Sequence, residues 1–185
     1  MRLFFAVGFS DSLKDAIEEA IKGIDLSHPP WRWVATVNFH ITLKFLGETR
    51  EEKVAALVRS AATAFEDAKP FEITLGGLGG FPNLNRPRVL FYRVTHGADP
   101  LCALAAKLED ALHRDLSIEK ERRSFRAHAT VARIKKPIPK EVAIRLQDAP
   151  GVSHPLETVE NVKLMRSELR REGALYHVVK EIALS

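Results

Sequence analysis

Two histidine-x-threonine triplets are the part of the sequence best suited to acid–base chemistry. His40 and Thr42 lie in the segment NFHITLKFLG, and His128 and Thr130 lie in FRAHATVARI. Residues i and i+2 of a β-strand project from the same face, so each pair can meet a ligand together. Imidazoles, with an ordinary pKa of about 6.5, can serve as acid and base at neutral pH, and threonine hydroxyls can donate to phosphoryl oxygens. If the two strands lie side by side, the triplets predict a site for a tetrahedral anion.

The repetition of the triplet is what favours a functional role, because a single histidine on a strand is usually an ordinary surface or core residue. Five other histidines lack this context and receive that interpretation: His28, His96, His113, His154 and His177. Zinc is the competing chemistry, but two histidines without a third Asp, Glu or Cys ligand at suitable spacing make a poor zinc site. We therefore expect neither a metal nor another cofactor.

Composition and net charge indicate a folded protein but say little about its ligand. The chain has 185 residues, of which 45% are hydrophobic, which is enough for a real core. A net charge of +4 suits a polyanionic or phosphorylated ligand, although many proteins with this charge bind nothing of the kind. Positive charge is dense in NRPR, KERRSFR and RIKKPIPK, at 85–88, 120–126 and 133–140. A solvated surface is the default interpretation of each run.

Location and redox state follow from simple absences in the sequence. No stretch of 18 or more apolar residues occurs, and the opening MRLFFAVGF is too short for a signal peptide, so we expect a cytoplasmic protein without membrane contacts. The single cysteine, Cys102, excludes an internal disulfide. Because Cys102 lies among Leu101, Leu104 and Leu108, it is predicted to pack within a helix.

Two amphipathic helices are predicted in the first half of the chain. Apolar residues at offsets 0, 3, 4, 7, 8 and 11 begin at Leu13 and again at Val54. Ser10 is placed to cap the first helix, and Thr49 with Glu52 has capping-box spacing before the second. Each helix therefore has both an apolar face and a candidate start.

The remaining elements complete an α+β pattern. A third helix is predicted from Asp99 to Leu112, with Pro100 in its first turn, and a shorter helix over 139–149. Strands are predicted at 2–8, 39–46, 71–79, 88–95, 126–134, 156–168 and 174–183. The fold class is α+β with largely antiparallel pairing, and the repeated order of helix and triplet strand suggests pseudo-twofold symmetry.

The glycine-rich segment LGGLGGFPN (75–83) could be mistaken for a phosphate-binding loop. It lacks the Gly-Lys-Ser/Thr ending of such loops, and no helical pattern follows it. We interpret it as a bent strand that enters a turn at Pro82 and Asn83.

These motifs together resemble the two-histidine phosphoesterases, and within them the RNA 2′,3′-cyclic phosphodiesterases, also known as 2′-5′ RNA ligases. The resemblance runs nearly end to end, through MRLFFAV, RWV, HITLKFLGE, PF, GLGGFPN, RPRVLF, HATVARI and SELRREGALYHVV. The departures are small. Ala127 stands where the family usually has proline, and Val37 and Val131 stand at or near positions where it usually has leucine.

The resemblance implies a single two-lobed phosphoesterase domain over residues 1–185, in which each lobe is an antiparallel sheet backed by helices and the triplets face a central cleft. It also implies metal-independent opening of a 2′,3′-cyclic phosphate at an RNA end to give a 2′-phosphate. By position, His128 matches the base that activates water and His40 the acid that protonates the leaving 3′ oxygen. Thr42 and Thr130 match the phosphate-binding hydroxyls.

Two further positions match residues that hold the terminal base in this family, Phe45 and Arg133, each five residues after a histidine. In a regular strand, an offset of five places both on the apolar face. Phe45 is then equally compatible with a place in the core. The charge of Arg133 cannot stay buried without a partner, so we expect the second strand to end or bulge before residue 133.

Two other functions stay open. The same groups acting in reverse would make a 2′-5′ RNA ligase that joins a 2′,3′-cyclic phosphate to a 5′-hydroxyl; we find no nucleotidyl-lysine motif or P-loop for ATP-driven ligation. A non-catalytic RNA-binding module is less consistent with 8% aromatic residues that lie mostly on apolar faces. The expected ligands are RNA ends with a 2′,3′-cyclic phosphate or small cyclic nucleotides, bound by a monomer.

Overall fold

The structure, a computed structural model, describes residues 1–24, 31–170 and 173–185 of the chain. Its strands are β1 (Arg2–Gly8), β2 (Trp31–Trp33), β3 (His40–Glu48), β4 (Phe71–Phe81), β5 (Val89–His96), β6 (His128–Ile134), β7 (Glu157–Val159), β8 (Asn161–Leu169) and β9 (Ala174–Ala183). Its helices are α1 (Asp11–Lys22), α2 (Val54–Ala64), α3 (Ala98–Leu116) and α4 (Lys140–Gln147). None of these helices is long and apolar enough to span a membrane. His28 lies outside the described residues.

The strands form two antiparallel sheets, which confirms the predicted α+β class. The first sheet has the order β3-β1-β8-β9, and the second has the order β2-β6-β5-β4-β7. Each sheet contains one triplet strand: β3 is at the edge of the first, and β6 lies between β2 and β5 in the second. β3 and β6 contact each other, so the two triplets approach from different sheets. The space between the triplet-bearing faces of β3 and β6 is called the cleft below.

The start of α1 is fixed both locally and by the other sheet. Leu13 and Ile17 on its apolar face are buried, and the Leu13 amide donates to the Ser10 hydroxyl at 3.2 Å, as the predicted cap requires. Glu157 of β7, only 7% exposed, accepts from the amide and the hydroxyl of Ser10 at 2.6 and 2.7 Å. This carboxylate therefore links the second sheet to the helix that follows β1.

The predicted capping box before α2 is wrong. The short 3₁₀ turn Glu51–Lys53 precedes α2, and the Thr49 hydroxyl donates to the Gly47 carbonyl at 3.2 Å instead. No side chain of residues 1–24, 31–170 or 173–185 caps α2. The Thr49 hydroxyl therefore forms a local hydrogen bond at the end of β3 and is not available to cap α2.

Three other element predictions need correction. α3 begins one residue early, after Gly97, whose φ of 76° favours glycine and whose Cβ would collide with the Glu72 carbonyl. The predicted strand 156–168 is two strands, β7 and β8, which lie in different sheets. The short strand β2 was not predicted, because three residues carry too little periodicity.

Cys102 was expected to pack within a helix but is exposed. Leu101, Leu104 and Leu108 are buried on the inner face of α3. One residue along a helix turns the side chain by about 100°, so position 102 faces outward beside that stripe.

The glycine-rich segment forms the second half of β4, and the interpretation as a bent strand is confirmed. Leu75 pairs with Val94 and Leu78 with Tyr92, so two glycines oppose a single residue of β5. A Cβ on Gly79 would lie 2.5 Å from the Phe91 ring. Glycine at this position therefore lets the Phe91 ring lie directly on the backbone of β4.

Candidate active site

Both triplets have the buried and accessible faces that the alternation predicted. Along β3, Ile41 and Leu43 are buried, while His40 and Thr42 are half-buried. Along β6, Ala129 and Val131 are buried, while the second histidine and threonine are half-buried. The apolar side chains anchor each strand in the core and leave the polar pair on the other face.

β3 carries a β-bulge directly after its triplet. Thr42 pairs with Ala6 of β1, and Lys44 pairs with the next residue, Phe5, which leaves Leu43 without a partner. One extra residue moves the side chains that follow it, here Lys44 and Phe45, to the opposite face, until a second extra residue at Leu46 shifts the register again.

β6 carries a β-bulge at the equivalent position. Thr130 pairs with Phe91 of β5, and Ala132 pairs with Leu90, so Val131 is the extra residue. The burial patterns agree, since each strand has two consecutive buried residues at this point.

The two bulges place Phe45 and Arg133 on the same faces as the histidines. Phe45 is 44% exposed, so the alternative of a core position is wrong for it. Arg133 is exposed as well, and the expected bulge before it is confirmed. The face reversal that the bulges cause explains how residues at an offset of five can reach the cleft.

His40 is held in a defined tautomer by its neighbours. Its Nδ1 lies 2.7 Å from the Asn38 carbonyl oxygen, which can only accept, so Nδ1 carries the proton of the neutral ring. Its Nε2 then accepts from the Thr42 hydroxyl at 2.9 Å. The ring packs between Phe4 and Tyr176, with centroid distances of 5.1 and 5.3 Å.

His128 repeats this arrangement in the second sheet. Its Nδ1 lies 2.6 Å from the Arg126 carbonyl oxygen, again two residues earlier in the chain. Its ring packs edge-on against Phe81 and Phe91, with centroid distances of 5.0 and 5.1 Å. In both sheets a backbone carbonyl binds Nδ1 and leaves Nε2 as the ring nitrogen available for proton transfer.

Burial lowers the pKa of both histidines. For His40 the Asn38 carbonyl opposes this shift, while the charges of His128 and Arg133 lower the pKa further. For His128 the Arg126 carbonyl opposes the shift, and the charge of Arg133 again lowers the pKa. Together with the contact between β3 and β6, these charge effects indicate that the two imidazoles and this guanidinium lie near one another.

Two cavities flank the histidines. One, of about 510 Å³, is lined by Arg133, Asn38 and Tyr176 among others. The other, of about 490 Å³, contains His128 with Arg93 and Arg126. The sequence pattern had not singled out Tyr176 or Arg93 as site residues.

A buried ion pair joins the triplet strand of the first sheet to the segment that precedes the second triplet. The side chain of Lys44, 3% exposed, places Nζ 2.6 Å from Glu109 Oε1 on α3 and 2.9 Å from the Glu119 carbonyl. Burial alone would raise the pKa of Glu109, but the hydrogen bond from Lys44 brings it below its ordinary value. Lys44 reaches these partners because the bulge at Leu43 turns it away from the cleft.

Within residues 1–24, 31–170 and 173–185, no group of three or more His, Cys, Asp or Glu side chains is arranged to hold a metal ion. The groups that the cleft does offer are two imidazoles, two hydroxyls and a guanidinium. These suit proton transfer to and from an anion.

The family model described as LigT like Phosphoesterase matches residues 7–91. The RNA 2′,3′-cyclic phosphodiesterase of Aquifex aeolicus is 32% identical over 184 residues, which are 100% of this chain and 97% of that protein. The protein of the same name from Archaeoglobus fulgidus is 34% identical over 177 residues, covering 95% of this chain and 96% of that protein.

Solved structures show the same fold. TT0787 of Thermus thermophilus matches with a TM-score of 0.83 and 31% identity, over 100% of this chain and 98% of that one. E. coli LigT complexed with 3′-AMP matches with a TM-score of 0.78 and 27% identity, over the same shares of the two chains.

Proposed function

Because the chain belongs to the LigT-like phosphoesterases, we propose that it is a metal-independent RNA 2′,3′-cyclic phosphodiesterase that opens a terminal cyclic phosphate to a 2′-phosphate. One observation carries the proposal: two histidines from different sheets share one cleft, and each has its Nδ1 bonded to the carbonyl two residues earlier. This pair can supply one base and one acid on opposite sides of a phosphorus atom.

In the proposed reaction, His128 Nε2 takes a proton from water as the water oxygen bonds to phosphorus. The bond from phosphorus to the 3′ oxygen breaks, and His40 Nε2 gives its proton to that oxygen. The 2′ oxygen keeps the phosphate. The lowered pKa of His128 suits the base, which must be neutral at the start. His40 must be protonated at the start. Burial lowers its pKa and opposes that state, whereas the negative charge of the bound phosphate favours it.

The threonines are proposed to hold the phosphoryl oxygens. Thr42 Oγ1 lies 2.9 Å from His40 Nε2, which accepts its proton while the ring is neutral. Once Nε2 carries a proton it no longer accepts, and the hydroxyl of Thr42 is then able to donate to the phosphate. Thr130, at the matching position of β6, serves the opposite side of the cleft.

Phe45 and Arg133 are proposed to hold the terminal nucleotide base. Phe45 is stacked on Phe4 with centroids 5.4 Å apart, and the guanidinium carbon of Arg2 lies 5.8 Å from its ring centroid. Its exposed edge and the planar Arg133 can contact a base from two sides.

We also propose that residues 1–185 act as one two-lobed phosphoesterase domain, because the site takes one triplet from each sheet. RNA ends with a 2′,3′-cyclic phosphate and small cyclic nucleotides are the proposed ligands. The monomeric state and the cytoplasmic location stay predictions from the sequence.

The proposed function is tested with a short RNA that ends in a 2′,3′-cyclic phosphate, after exhaustive treatment of the protein with EDTA. We expect turnover to persist and phosphorus NMR to show a 2′-phosphate as the product. A 3′-phosphate product would contradict the assignment of the leaving oxygen. Loss of turnover that a divalent ion restores would contradict the metal-independent mechanism, and joined RNA with a 5′-hydroxyl acceptor would favour ligation.

A further inference from the structure

A cavity of about 930 Å³ lies between the turn that precedes β5 and the segment around α4, away from the two histidines. We call it the basic groove, because four of the described residues that line it are cations and none of those described residues is a carboxylate. The cations are Arg86, Arg88, Lys136 and Lys140. All four cations are exposed. A groove with this lining attracts a polyanion.

The positive charge of the basic groove is not neutralised within the part of the chain that the structure describes. None of its four cations forms an ion pair with a described carboxylate, whereas Lys14, Lys22 and Lys163 elsewhere on the surface do. Four unpaired cations in one concave surface repel one another, and a ligand with several regularly spaced negative charges relieves that repulsion.

The basic groove also offers apolar contact. Ile144 lines it and is 59% exposed, and Pro137 and Ile138 lie beside it. Apolar surface between cations fits a polymer that alternates charged phosphates with flat bases and sugars. A free phosphate would use only the charges.

A second cavity connects the basic groove to the catalytic cleft. The cavity that contains His128 shares Pro82 with the basic groove, and a hydrogen bond of 3.1 Å from Gln147 to Asn85 lies where the two adjoin. Arg93 and Arg126 line this second cavity, and no carboxylate is found among its lining residues in the described part of the chain. Positively charged side chains therefore line both cavities, from Arg93 and Arg126 beside His128 to the cations of the basic groove.

We propose that the basic groove binds the phosphate backbone of a single-stranded RNA on the 5′ side of its cyclic end, so that RNA strands of several nucleotides are better substrates than free cyclic nucleotides. The proposal rests on the proposed function for the direction of the strand. β6 has seven residues and spans about 20 Å from His128 towards the groove. A strand of about eight nucleotides, within the roughly 4 to 16 that single-strand grooves hold, is a suitable probe.

The first test measures binding alone. The groove variant is Arg86→Gln with Lys140→Gln, and the matched control is Arg59→Gln with Lys107→Gln, which removes two exposed cations from α2 and α3. The probe is a labelled RNA of about eight nucleotides with a linear 3′-phosphate, titrated by fluorescence anisotropy at several salt concentrations. Each lost phosphate contact should make the slope of log affinity against log salt shallower by about 0.7, so the groove variant should lose about 1.4. An unchanged slope and affinity, or equal losses in the control, would overturn the proposal.

The second test measures turnover on two substrates, the same RNA with a 2′,3′-cyclic phosphate and a nucleoside 2′,3′-cyclic phosphate. The groove variant should show a higher KM for the RNA and unchanged kinetics on the nucleoside, while the control matches wild type on both. Equal losses on both substrates would overturn the groove proposal. If wild type hydrolyses neither substrate, the proposed function fails, and the binding test still decides whether the groove holds RNA.

Discussion

Leu43 and Val131 are the extra residues of two matching β-bulges, each three positions after a histidine. Each bulge reverses the faces of its strand, so the side chain two positions later joins the histidine and the threonine in the cleft. In β3 this side chain is Phe45, and in β6 it is Arg133. The two halves of the site therefore share one backbone design and differ in what they present to a ligand beyond the phosphate.

The threonine hydroxyls should contribute mainly to transition-state binding. Thr42→Val or Thr130→Val removes a hydrogen bond to a charged group, which is worth about 1 to 3 kcal/mol, or roughly 5-fold to 150-fold in kcat/KM. Steady-state kinetics on an RNA cyclic phosphate measure the loss, with thermal unfolding as a control for folding. Unchanged kcat/KM in both variants would mean that neither hydroxyl faces the phosphate.

Arg133 should affect both the nucleotide base and the pH profile. Its positive charge lowers the pKa of both histidines, so Arg133→Met should raise both pKa values. The acid limb of the rate profile reflects the histidine that must be neutral, His128, and the alkaline limb reflects the histidine that must be protonated, His40. Because both pKa values rise, both limbs should move to higher pH. Arg133→Lys keeps the charge and should leave the profile nearly in place.

A comparison of two substrates tests whether Arg133 contacts the nucleotide base or the phosphate. Arg133→Met should lower kcat/KM more on nucleotide substrates than on a baseless cyclic phosphate. Equal losses on the two substrates would instead place the guanidinium at the phosphate.

Lys44 should stabilise the fold rather than take part in the chemistry. Lys44→Met leaves Glu109 without its nearest cation, and Glu109 is 21% exposed, so we expect a loss of about 2 to 4 kcal/mol, somewhat below the range for fully buried pairs. The folded pKa of Glu109 is depressed, so this stabilisation is present above its ordinary pKa and is lost as the pH falls through the folded value. Urea unfolding at neutral and acidic pH should show the difference from wild type shrinking in acid.

A matched control for Lys44 is Lys107→Met, since Lys107 is exposed on α3. This variant should change the free energy of unfolding by no more than about 0.5 kcal/mol. Equal destabilisation by the two substitutions would show that the buried ion pair is not the cause.

The sequence predicted the positions of site residues mainly where they depend on the alternation of buried and accessible side chains along one strand. The buried residues beneath each triplet followed from the period of two, because both triplets lie before their bulges. The exposed position of Phe45 could not be predicted in this way. The bulge that precedes it depends on how β3 pairs with another strand, and the amino-acid composition does not indicate such a bulge. Arg133 was the exception, since a charged residue cannot take an unpaired buried position.

The misses at Tyr176 and Cys102 have different causes. Tyr176 packs against His40 although the two lie on strands that are not neighbours in the first sheet. Cys102 was misplaced because its neighbours in sequence are buried, whereas its own direction on α3 is outward. The contact of Tyr176 depends on which strand faces meet, which a single sequence does not specify. The direction of Cys102 follows from the helical period once Leu101, Leu104 and Leu108 define the inner face of α3.

The division of labour between His40 and His128 is tested most directly by changing the leaving group. A ribose oxygen needs a proton as its bond to phosphorus breaks, whereas a nitrophenolate does not. His40→Ala should therefore lose about 10²-fold to 10⁴-fold on an RNA cyclic phosphate, together with the alkaline limb of the pH profile, and recover much of the loss on a nitrophenyl phosphodiester. His128→Ala should stay impaired on both substrates, because water must still be deprotonated. Recovery by the His128 variant alone would reverse the two roles, and full activity of either variant on the RNA would contradict the two-histidine mechanism.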